Sequence, residues 1–155
     1  MKILVTGAGG FIGGYLVKDL LKQGHEVISA DIKPIEDWYQ VFNDSQNHEA
    51  DMRLKEHADN LTKGVDRIYN LACNMGGMGF IQNNHALCME SVLTQVHALM
   101  AARDNGVKEI LYSSSACIYP LEIQCDIKDA VSQGLKESDA YPANPEDGYG
   151  WEKLF

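Results

Sequence analysis

Short apolar runs alternate with longer, more polar segments along most of the chain. The first of these runs, Lys2–Thr6, is rich in branched residues, the pattern of a strand buried on both faces of a sheet. Such runs predict strands at Lys2–Thr6, Glu26–Ala30, Asp66–Ala72 and Lys108–Tyr112. A very short further strand is predicted at His48–Asp51.

Most segments between these runs carry apolar residues three and four positions apart, the spacing of an amphipathic helix. Helices are predicted at Phe11–Gln23, Arg53–Leu61, Asn84–Asn105 and from Asn144 onward. The longest of them has an apolar stripe formed by Leu87, Met89, Val92, Leu93, Val96, Leu99 and Met100.

Two segments lack clear periodicity. Ile32–His48 is polar with scattered aromatic residues and is expected to be an irregular helix or loop at the sheet edge. Leu121–Ala143 is expected to be a polar loop that serves as a lid or surface excursion. Pro145 is placed in the first turn of the last helix. The alternation of strands and helices predicts an α/β protein with a Rossmann-like, doubly wound parallel sheet.

Composition narrows the possible partners. The chain of 155 residues has the length of one domain, and its formal net charge of −9 argues against nucleic acid or an anionic membrane as partner. No run is long enough to span a bilayer and no leader precedes the first strand, so a cytoplasmic protein without membrane association is expected. The four cysteines, Cys73, Cys88, Cys117 and Cys125, show no paired spacing, so we expect no metal site and free thiols.

A glycine-rich loop joins the first strand to the first helix. Glycine permits a tight turn, lets a pyrophosphate approach the backbone, and lets helix and strand lie close together. The N–H groups and the positive end of the helix dipole then face the phosphates. The strand–loop–helix order predicts a dinucleotide site built from Gly7, Gly9, Gly10, Phe11, Ile12 and Gly13.

Two acidic residues are candidates for the adenosine part of the dinucleotide. Asp31 directly follows the second strand, where a carboxylate accepts hydrogen bonds from a ribose and repels a 2′-phosphate, which favours NAD over NADP. The alternative for Asp31 is a turn- or helix-capping role. Asp51 either contacts the adenine amino group or caps the helix Arg53–Leu61, and the sequence leaves both open.

Further candidates follow the fourth and fifth strands. The loop Cys73–Phe80, rich in glycine and methionine, lies at the strand edge where ligands bind in open α/β sheets. Ser113–Ser115 and Cys117 follow the fifth strand at the same edge. By contrast, His85, Cys88 and His97 are interpreted as packing or surface residues.

Tyr149 and Lys153 are four residues apart and therefore share one face of the last helix. A phenol has an ordinary pKa of about 10 and is a poor base at neutral pH. A neighbouring ammonium and a cationic nicotinamide would favour the phenolate. Ser115 could hydrogen-bond the same substrate hydroxyl, which predicts hydride-transfer chemistry at this helix.

Together these features resemble a known family. The glycine loop, Asp31, the run Asn70–Ala72, Ser113–Ser115 and the Tyr149/Lys153 pair resemble the extended short-chain dehydrogenase/reductases of the NAD-dependent epimerase/dehydratase family. More narrowly, the chain is similar to the GDP-mannose 3,5-epimerases in the segments Asn74–His85, Ser114–Pro120 and Leu135–Lys153.

The resemblance implies a cofactor, a substrate and a reaction. NAD oxidises C4 of GDP-mannose, C5 and C3 are epimerised through the 4-ketone, and the retained NADH reduces C4 again. By matching position, Tyr149 and Lys153 serve hydride transfer and also hold NAD, and Cys117 is an acid/base. Further residues implied to touch the cofactor are Asp51, Leu71 and Ala72, and those implied to touch the substrate are Gly76, Ser115, Ala116 and Cys117. A homodimer is implied for the complete protein.

The chain also departs from the pattern. Asn74 stands where plant-type epimerases carry Asp, and Ala86–Gln95 lacks their Asn-Asn-Thr, which leaves the exact sugar open. A 4-epimerase, a 4,6-dehydratase and a non-catalytic dinucleotide-binding module are alternatives; Cys117 argues against the first two, and the Ser115, Tyr149 and Lys153 set against the third. Because the chain stops inside the Tyr149 helix, we expect residues 1–155 to be an incomplete NAD-binding domain, without substrate domain and inactive alone.

Overall fold

The computed structural model describes residues 1–124 and 134–155. Five parallel strands form one sheet in the order β3-β2-β1-β4-β5, which confirms the predicted Rossmann-like α/β fold. The strands are β1 Lys2–Thr6, β2 Glu26–Asp31, β3 Gln46–Glu49, β4 Arg67–Asn70 and β5 Glu109–Tyr112.

Helices connect the strands and follow the last of them. They are α1 Phe11–Lys22, α2 Lys55–Leu61, α3 Met78–Asn83, α4 His85–Asp104, α5 Leu121–Gln124 and α6 Asp147–Leu154. Short 3₁₀ turns lie at Ile35–Asp37, Ala116–Ile118 and Glu137–Ala140.

The chain divides into two compact units. The sheet unit contains Met1–Cys73 and Leu93–Tyr112, and the Tyr149 unit contains Asn74–Val92 and Ser113–Phe155. Helix α4 contributes its first residues to the Tyr149 unit and the rest to the sheet unit.

The sheet unit has a hydrophobic core on each face of the sheet, because successive side chains of a strand point to opposite faces. On one face, alternate strand residues pack against α2 and the end of α4 through Leu4, Ile28, Ile68, Ala58, Ala101 and Ala102. On the other face, strand residues pack against α1 and one aromatic ring through Ile3, Val5, Val27, Val17, Leu20 and Trp38.

Strand β3 begins and ends two residues earlier than predicted, at Gln46–Glu49 instead of His48–Asp51. It pairs with β2 from Ile28 opposite Gln46 to Asp31 opposite Glu49. It lies at one edge of the sheet, and its sequence is entirely polar. Edge strands need no apolar face on their open side, so hydrophobicity alone could not fix the position of this strand.

The apolar stripe of α4 is not its buried face. Leu87, Met89, Leu93 and Leu99 are exposed, and the buried positions are Cys88, Ser91, Thr94, Gln95, Ala98, Ala101 and Ala102. The apolar side of a helix ordinarily faces the core. Here small and polar residues allow close packing on one side of α4, and large apolar residues remain outside.

Two helices begin later than predicted. Helix α2 begins at Lys55 after Leu54, so the interpretation of Asp51 as its N-cap is wrong. Helix α6 begins at Asp147 after Glu146, which leaves Pro145 outside the helix. Asp147 has φ +49°, in the left-handed region that Asp tolerates better than most residues. This left-handed residue is the first residue of α6.

The predicted polar loop Leu121–Ala143 contains local structure at both ends. Its first residues form α5, and Glu137–Ala140 form a 3₁₀ turn. Residues 125–133, including Cys125, lie outside the described part of the chain. Within the described ranges, no helix combines the length and apolar character needed to cross a bilayer.

Candidate functional site

At two positions, the glycine loop of the sheet unit packs too tightly against backbone for a side chain to fit. Gly7 has φ +72°, and a Cβ there would lie 3.0 Å from backbone atoms of both Leu71 and Ala72. At Gly13, in the first turn of α1, a Cβ would overlap the carbonyl oxygen of Gly7. Glycine therefore brings the loop against the end of β4 and brings α1 against the loop.

Two residues inside the sheet, Thr6 and Asn70, hold the end of β4 beside the glycine loop. Both are buried, and the Thr6 hydroxyl donates to Asn70 Oδ1 at 2.6 Å. The same hydroxyl oxygen accepts the Ala72 N–H at 3.2 Å. These contacts hold Leu71–Ala72, predicted to touch the cofactor, beside the loop. Sequence reasoning assigned no role to Thr6, although a polar residue at the end of a buried strand was a visible signal.

The N-terminus of α1 has the character of an anion site. Gly10 precedes the helix, and no side chain caps the first turn. The first N–H groups of a helix have no partner within the helix and carry the positive end of its dipole. The side chains of Phe11 and Ile12 are exposed and are therefore not packed over these amides. The geometry suits phosphate oxygens.

Asp31 lies beside this loop at the end of β2, where its side chain is nearly buried. Its carboxylate accepts the Gly9 N–H and the Lys33 N–H, both at 3.0 Å. The Lys33 contact is the turn-capping role considered for this residue. A carboxylate has about four acceptor positions, so the capping contacts leave capacity for ribose hydroxyls.

Trp38 is a component of the loop that sequence reasoning missed. A Cβ on Gly9 would lie 2.7 Å from the Trp38 ring, and the Tyr39 N–H donates to the Gly9 carbonyl at 3.0 Å. Trp38 itself is fixed by its Nε1–H, which donates to the Lys33 carbonyl at 2.9 Å. The signal for Trp38 in the sequence was the group of aromatic residues in Ile32–His48, the segment predicted to be irregular.

The carboxylate of Asp51 makes its closest charged contacts with Arg53, two residues further along the chain. Its carboxylate accepts the Arg53 backbone N–H at 2.9 Å and the Arg53 guanidinium at 2.8 to 3.1 Å. These hydrogen bonds hold the pKa of Asp51 below its ordinary value. The contacts anchor the turn before α2, and an adenine contact of Asp51 stays a prediction.

In the Tyr149 unit, Ser115 and Cys117 belong to one 3₁₀ turn. The Ser115 hydroxyl oxygen accepts the Cys117 N–H at 3.2 Å, and the turn covers Ala116–Ile118. The Ser115 O–H can still donate to another acceptor. Cys117 is half-buried and packs against a cluster of Ile81, Cys88 and Tyr149.

Helix α6 lies directly on this turn. A Cβ on Gly150 would overlap the Cys117 carbonyl oxygen, and the Glu146 N–H donates to the same oxygen at 3.2 Å. At the other end of the helix, the Ser114 hydroxyl donates to the Lys153 carbonyl at 3.0 Å. The serine-rich segment and the helix are therefore one packed group.

Tyr149 and Lys153 come together on α6. Both side chains are buried, and Lys153 Nζ lies 5.7 Å from the centroid of the Tyr149 ring. Glu152, which sequence reasoning did not single out, is buried beside them with Oε2 3.5 Å from Lys153 Nζ. The site thus combines a phenol, an ammonium and a carboxylate away from water.

The remaining candidates have local structural roles. A Cβ on Gly76 would lie 2.7 Å from Phe80 Cβ, so packing requires glycine there, and its substrate contact stays a prediction. Cys88 is fully buried, as expected for a packing residue. His85 is exposed and lies next to the start of α6, with Nδ1 4.0 Å from Asp147 Oδ1. Among the residues that the structure describes, no metal-binding cluster and no disulfide occurs.

Comparison with known proteins defines the class. A model of the NAD dependent epimerase/dehydratase family matches residues 3–155. The chain therefore belongs to this family. It is 44% identical, over 99% of its length, to GDP-mannose 3,5-epimerase of Arabidopsis thaliana and to GDP-mannose 3,5-epimerase 1 of Oryza sativa subsp. japonica. It spans 40% of the length of each of these relatives.

More distant relatives and solved structures agree with the fold. Protein CapI of Staphylococcus aureus is 33% identical over 77% of this chain and 39% of that protein. A crystal structure of UDP-galactose 4-epimerase superposes with a TM-score of 0.79 and 26% identity, over 99% of this chain and 48% of that one. The UDP-glucose 4-epimerase of Thermus thermophilus in complex with NAD has a TM-score of 0.75 and 24% identity, over 99% and 47% of the two chains.

Proposed function

We propose that the protein is an NAD-dependent nucleotide-sugar epimerase that acts on GDP-mannose at C3 and C5. The observation that carries the proposal is the packed group of Ser115, Cys117, Tyr149 and Lys153 in the Tyr149 unit. The sugar is inferred from the 44% identity to GDP-mannose 3,5-epimerases over nearly the whole chain.

The glycine loop fits NAD. The uncapped amides of the first turn of α1 would bind the pyrophosphate, and Asp31 would accept hydrogen bonds from the adenosine ribose. Gly7 and Gly13 keep this surface free of side chains. When bound, NAD supplies the hydride acceptor and donor for C4 of the sugar.

The residues of the Tyr149 unit would move protons. The Tyr149 phenolate, stabilised by the ammonium of Lys153, would take the proton of the C4 hydroxyl and become the neutral phenol. The Ser115 O–H would hydrogen-bond the oxygen on C4. Once C4 carries a ketone, protons on adjacent carbons become acidic, and Cys117 would exchange them. Ser115, Ala116, Cys117 and Gly76 would also contact the sugar.

A 4-epimerase or 4,6-dehydratase remains the second candidate within the family. The structural similarity to UDP-galactose 4-epimerase favours it, but at 26% identity this similarity is lower than that to the 3,5-epimerases. A cysteine at position 117 supplies a thiol that 4-epimerisation does not use. The Cys117 experiment below separates the two candidates.

We also infer a homodimer, formed through α4. Met89 and Leu93 are exposed on one helical face with the half-buried Val96 and Met100. This apolar face is suited to a matching face on a second copy of the chain. The cytoplasmic location expected from the sequence stays a prediction.

Cofactor choice is tested by calorimetric titration of NAD and NADP. We expect the protein to prefer NAD, and Asp31→Ser to weaken NAD binding about tenfold or more and narrow the gap to NADP. Asp37→Ser, which removes the same charge from the exposed 3₁₀ turn Ile35–Asp37, should change neither affinity. Equal affinity of the unmodified protein for both cofactors would show that Asp31 does not select NAD.

The chemistry is tested by incubating the protein with NAD and GDP-mannose in deuterated water. We expect deuterium at C3 and C5 of the sugar. Cys117→Ala should abolish this uptake while transient reduction of NAD persists, and Cys73→Ala should behave like the unmodified protein. Unchanged uptake in Cys117→Ala would remove the cysteine from the mechanism and the main support for 3,5-epimerisation.

A further inference from the structure

Glu152 is a buried charged residue that the proposed mechanism does not use. It is 0% exposed, and among the side chains that are essentially inaccessible it is one of the largest. Its carboxylate oxygen Oε2 lies 3.5 Å from Lys153 Nζ, and the two side chains are 1% and 2% exposed. The ion pair therefore lies inside the Tyr149 unit, away from water.

Burial of this pair is costly. Removing a carboxylate and an ammonium from water costs several kcal/mol per ion, and a well-packed apolar residue of similar volume often serves stability equally well or better. Neighbouring positions of a helix also point in different directions and do not ordinarily face each other. A pair of adjacent residues that nevertheless converge in the interior is difficult to explain by stability alone.

The surroundings of Lys153 are fixed on several sides. Its carbonyl accepts the Ser114 hydroxyl, and its Nζ lies 5.7 Å from the centroid of the Tyr149 ring. Helix α6 packs on the 3₁₀ turn that contains Cys117 and on α3, whose sequence MGFIQN has no ionisable side chain. The ionisable groups at the first turn of α6 are Glu146, Asp147 and His85.

The Glu152 carboxylate lies against the Lys153 ammonium. We propose that Glu152 is a positioning residue that holds the Lys153 ammonium beside Tyr149, where the cofactor ribose and the phenol both require it. The inference rests on the proposed function, in which Lys153 binds NAD and supports Tyr149. Glu152 itself contacts neither cofactor nor sugar and acts through Lys153.

The test is a double-mutant cycle read out by NAD affinity and thermal unfolding midpoint. Glu152→Gln keeps the shape and removes the charge, and it should raise the dissociation constant for NAD about tenfold at a temperature where the protein is fully folded. In a Lys153→Met background, Glu152→Gln should cause no further loss, since the group through which it acts is gone. Glu146→Gln, at the start of the same helix, should leave the affinity within about twofold of the unmodified protein.

The outcomes separate the two proposals. If the unmodified protein does not bind NAD, the proposed function fails. If it binds NAD and Glu152→Gln lowers only the unfolding midpoint, Glu152 is a structural residue and the inference is overturned. If Glu152→Gln weakens NAD binding by the same factor with Lys153 present and in the Lys153→Met background, the two residues act independently and the inference is overturned as well.

A conservative variant and the double variant cover the case in which Glu152→Gln does not fold. Glu152→Asp keeps the charge and should bind NAD more tightly than any folded neutral variant at this position. If the single variant unfolds but Glu152→Gln/Lys153→Met folds, the defect is the ammonium left without its carboxylate, as proposed. If that double variant also unfolds, Glu152 acts independently of Lys153 and the inference is wrong.

Discussion

Gly13 and Gly14 are neighbours in α1, both are buried, and only Gly14 has room for a methyl group. A Cβ on Gly13 would overlap the Gly7 carbonyl oxygen, whereas a Cβ on Gly14 would have its nearest contact at 3.4 Å from Gln40. The distinction is invisible in the sequence, where both are glycines in one helix.

We therefore expect Gly13→Ala to lower the free energy of unfolding by about 3 kcal/mol, because overpacking forces the loop to move. Gly14→Ala should raise it by about 0.5 to 1 kcal/mol, since alanine is the better helix former. Urea denaturation of both variants measures the difference. Equal effects of the two changes would mean that the loop does not pack on α1 as described.

Asp51 and Arg53 provide a pH-dependent contribution to stability. Hydrogen bonds from Arg53 lower the pKa of Asp51 from its ordinary 3.8 in the folded state. A carboxyl with a lowered pKa stabilises the fold above its unfolded pKa, and this contribution disappears as the pH falls through the folded value.

Arg53→Gln should thus lower the free energy of unfolding by up to about 1 kcal/mol at pH 6, a modest value because the pair is partly exposed. The difference from the unmodified protein should vanish at a pH below the folded-state pKa of Asp51, where the carboxyl is protonated in both states. Lys63→Gln, which removes a charge that bonds to Asn60, is the control. A difference that is the same at both pH values would contradict the assignment to Asp51.

At the scale of elements, the contact of α6 with the 3₁₀ turn Ala116–Ile118 determines where the proposed catalytic residues lie. Gly150 touches the Cys117 carbonyl, and the Glu146 N–H bonds to it. No space remains for a larger residue at the contact. The spacing of Tyr149 and Lys153 predicts a shared helix face, but only this packing sets where that face points.

Gly150→Ala should lower the free energy of unfolding by about 2 to 3 kcal/mol, because backbone must separate from backbone. Gly79→Ala is the matched change in α3, where a Cβ meets nothing within 4 Å. It should be neutral or slightly stabilising. Chemical denaturation measures the free energy of unfolding of both variants. If Gly150→Ala leaves it unchanged, α6 does not pack on the 3₁₀ turn.

At the scale of the whole molecule, the exposed apolar face of α4 is the surface through which we propose that two copies associate. Leu93 is 46% exposed at the centre of this face, and Leu54 is 52% exposed elsewhere in the sheet unit. Leu93→Glu should abolish a dimer seen by sedimentation in the unmodified protein, since two charged residues would meet at a symmetric interface. Leu54→Glu should leave the mass unchanged. If Leu93→Glu also leaves it unchanged, the dimer does not use this face of α4.

The sequence by itself determined the order of the five strands and of helices α1, α2, α4 and α6, together with the position of the glycine loop. Parallel strands that are buried on both faces are continuously apolar, so β1, β2 and β4 could be predicted from the sequence. A loop whose backbone comes close to a phosphate and to a strand requires glycine, so the loop could be predicted as well. The edge strand β3 was placed two residues late, because a polar edge strand has no apolar pattern to follow.

Only the tertiary structure decided which face of α4 is buried and which charges are paired. The large apolar residues of α4 lie outside and its small and polar ones inside, a choice that depends on the shape of the surface it packs against. Trp38 over Gly9 and Glu152 beside Lys153 are contacts between side chains whose directions no spacing rule gives. Local pattern fixes what an element is, whereas packing fixes what it touches.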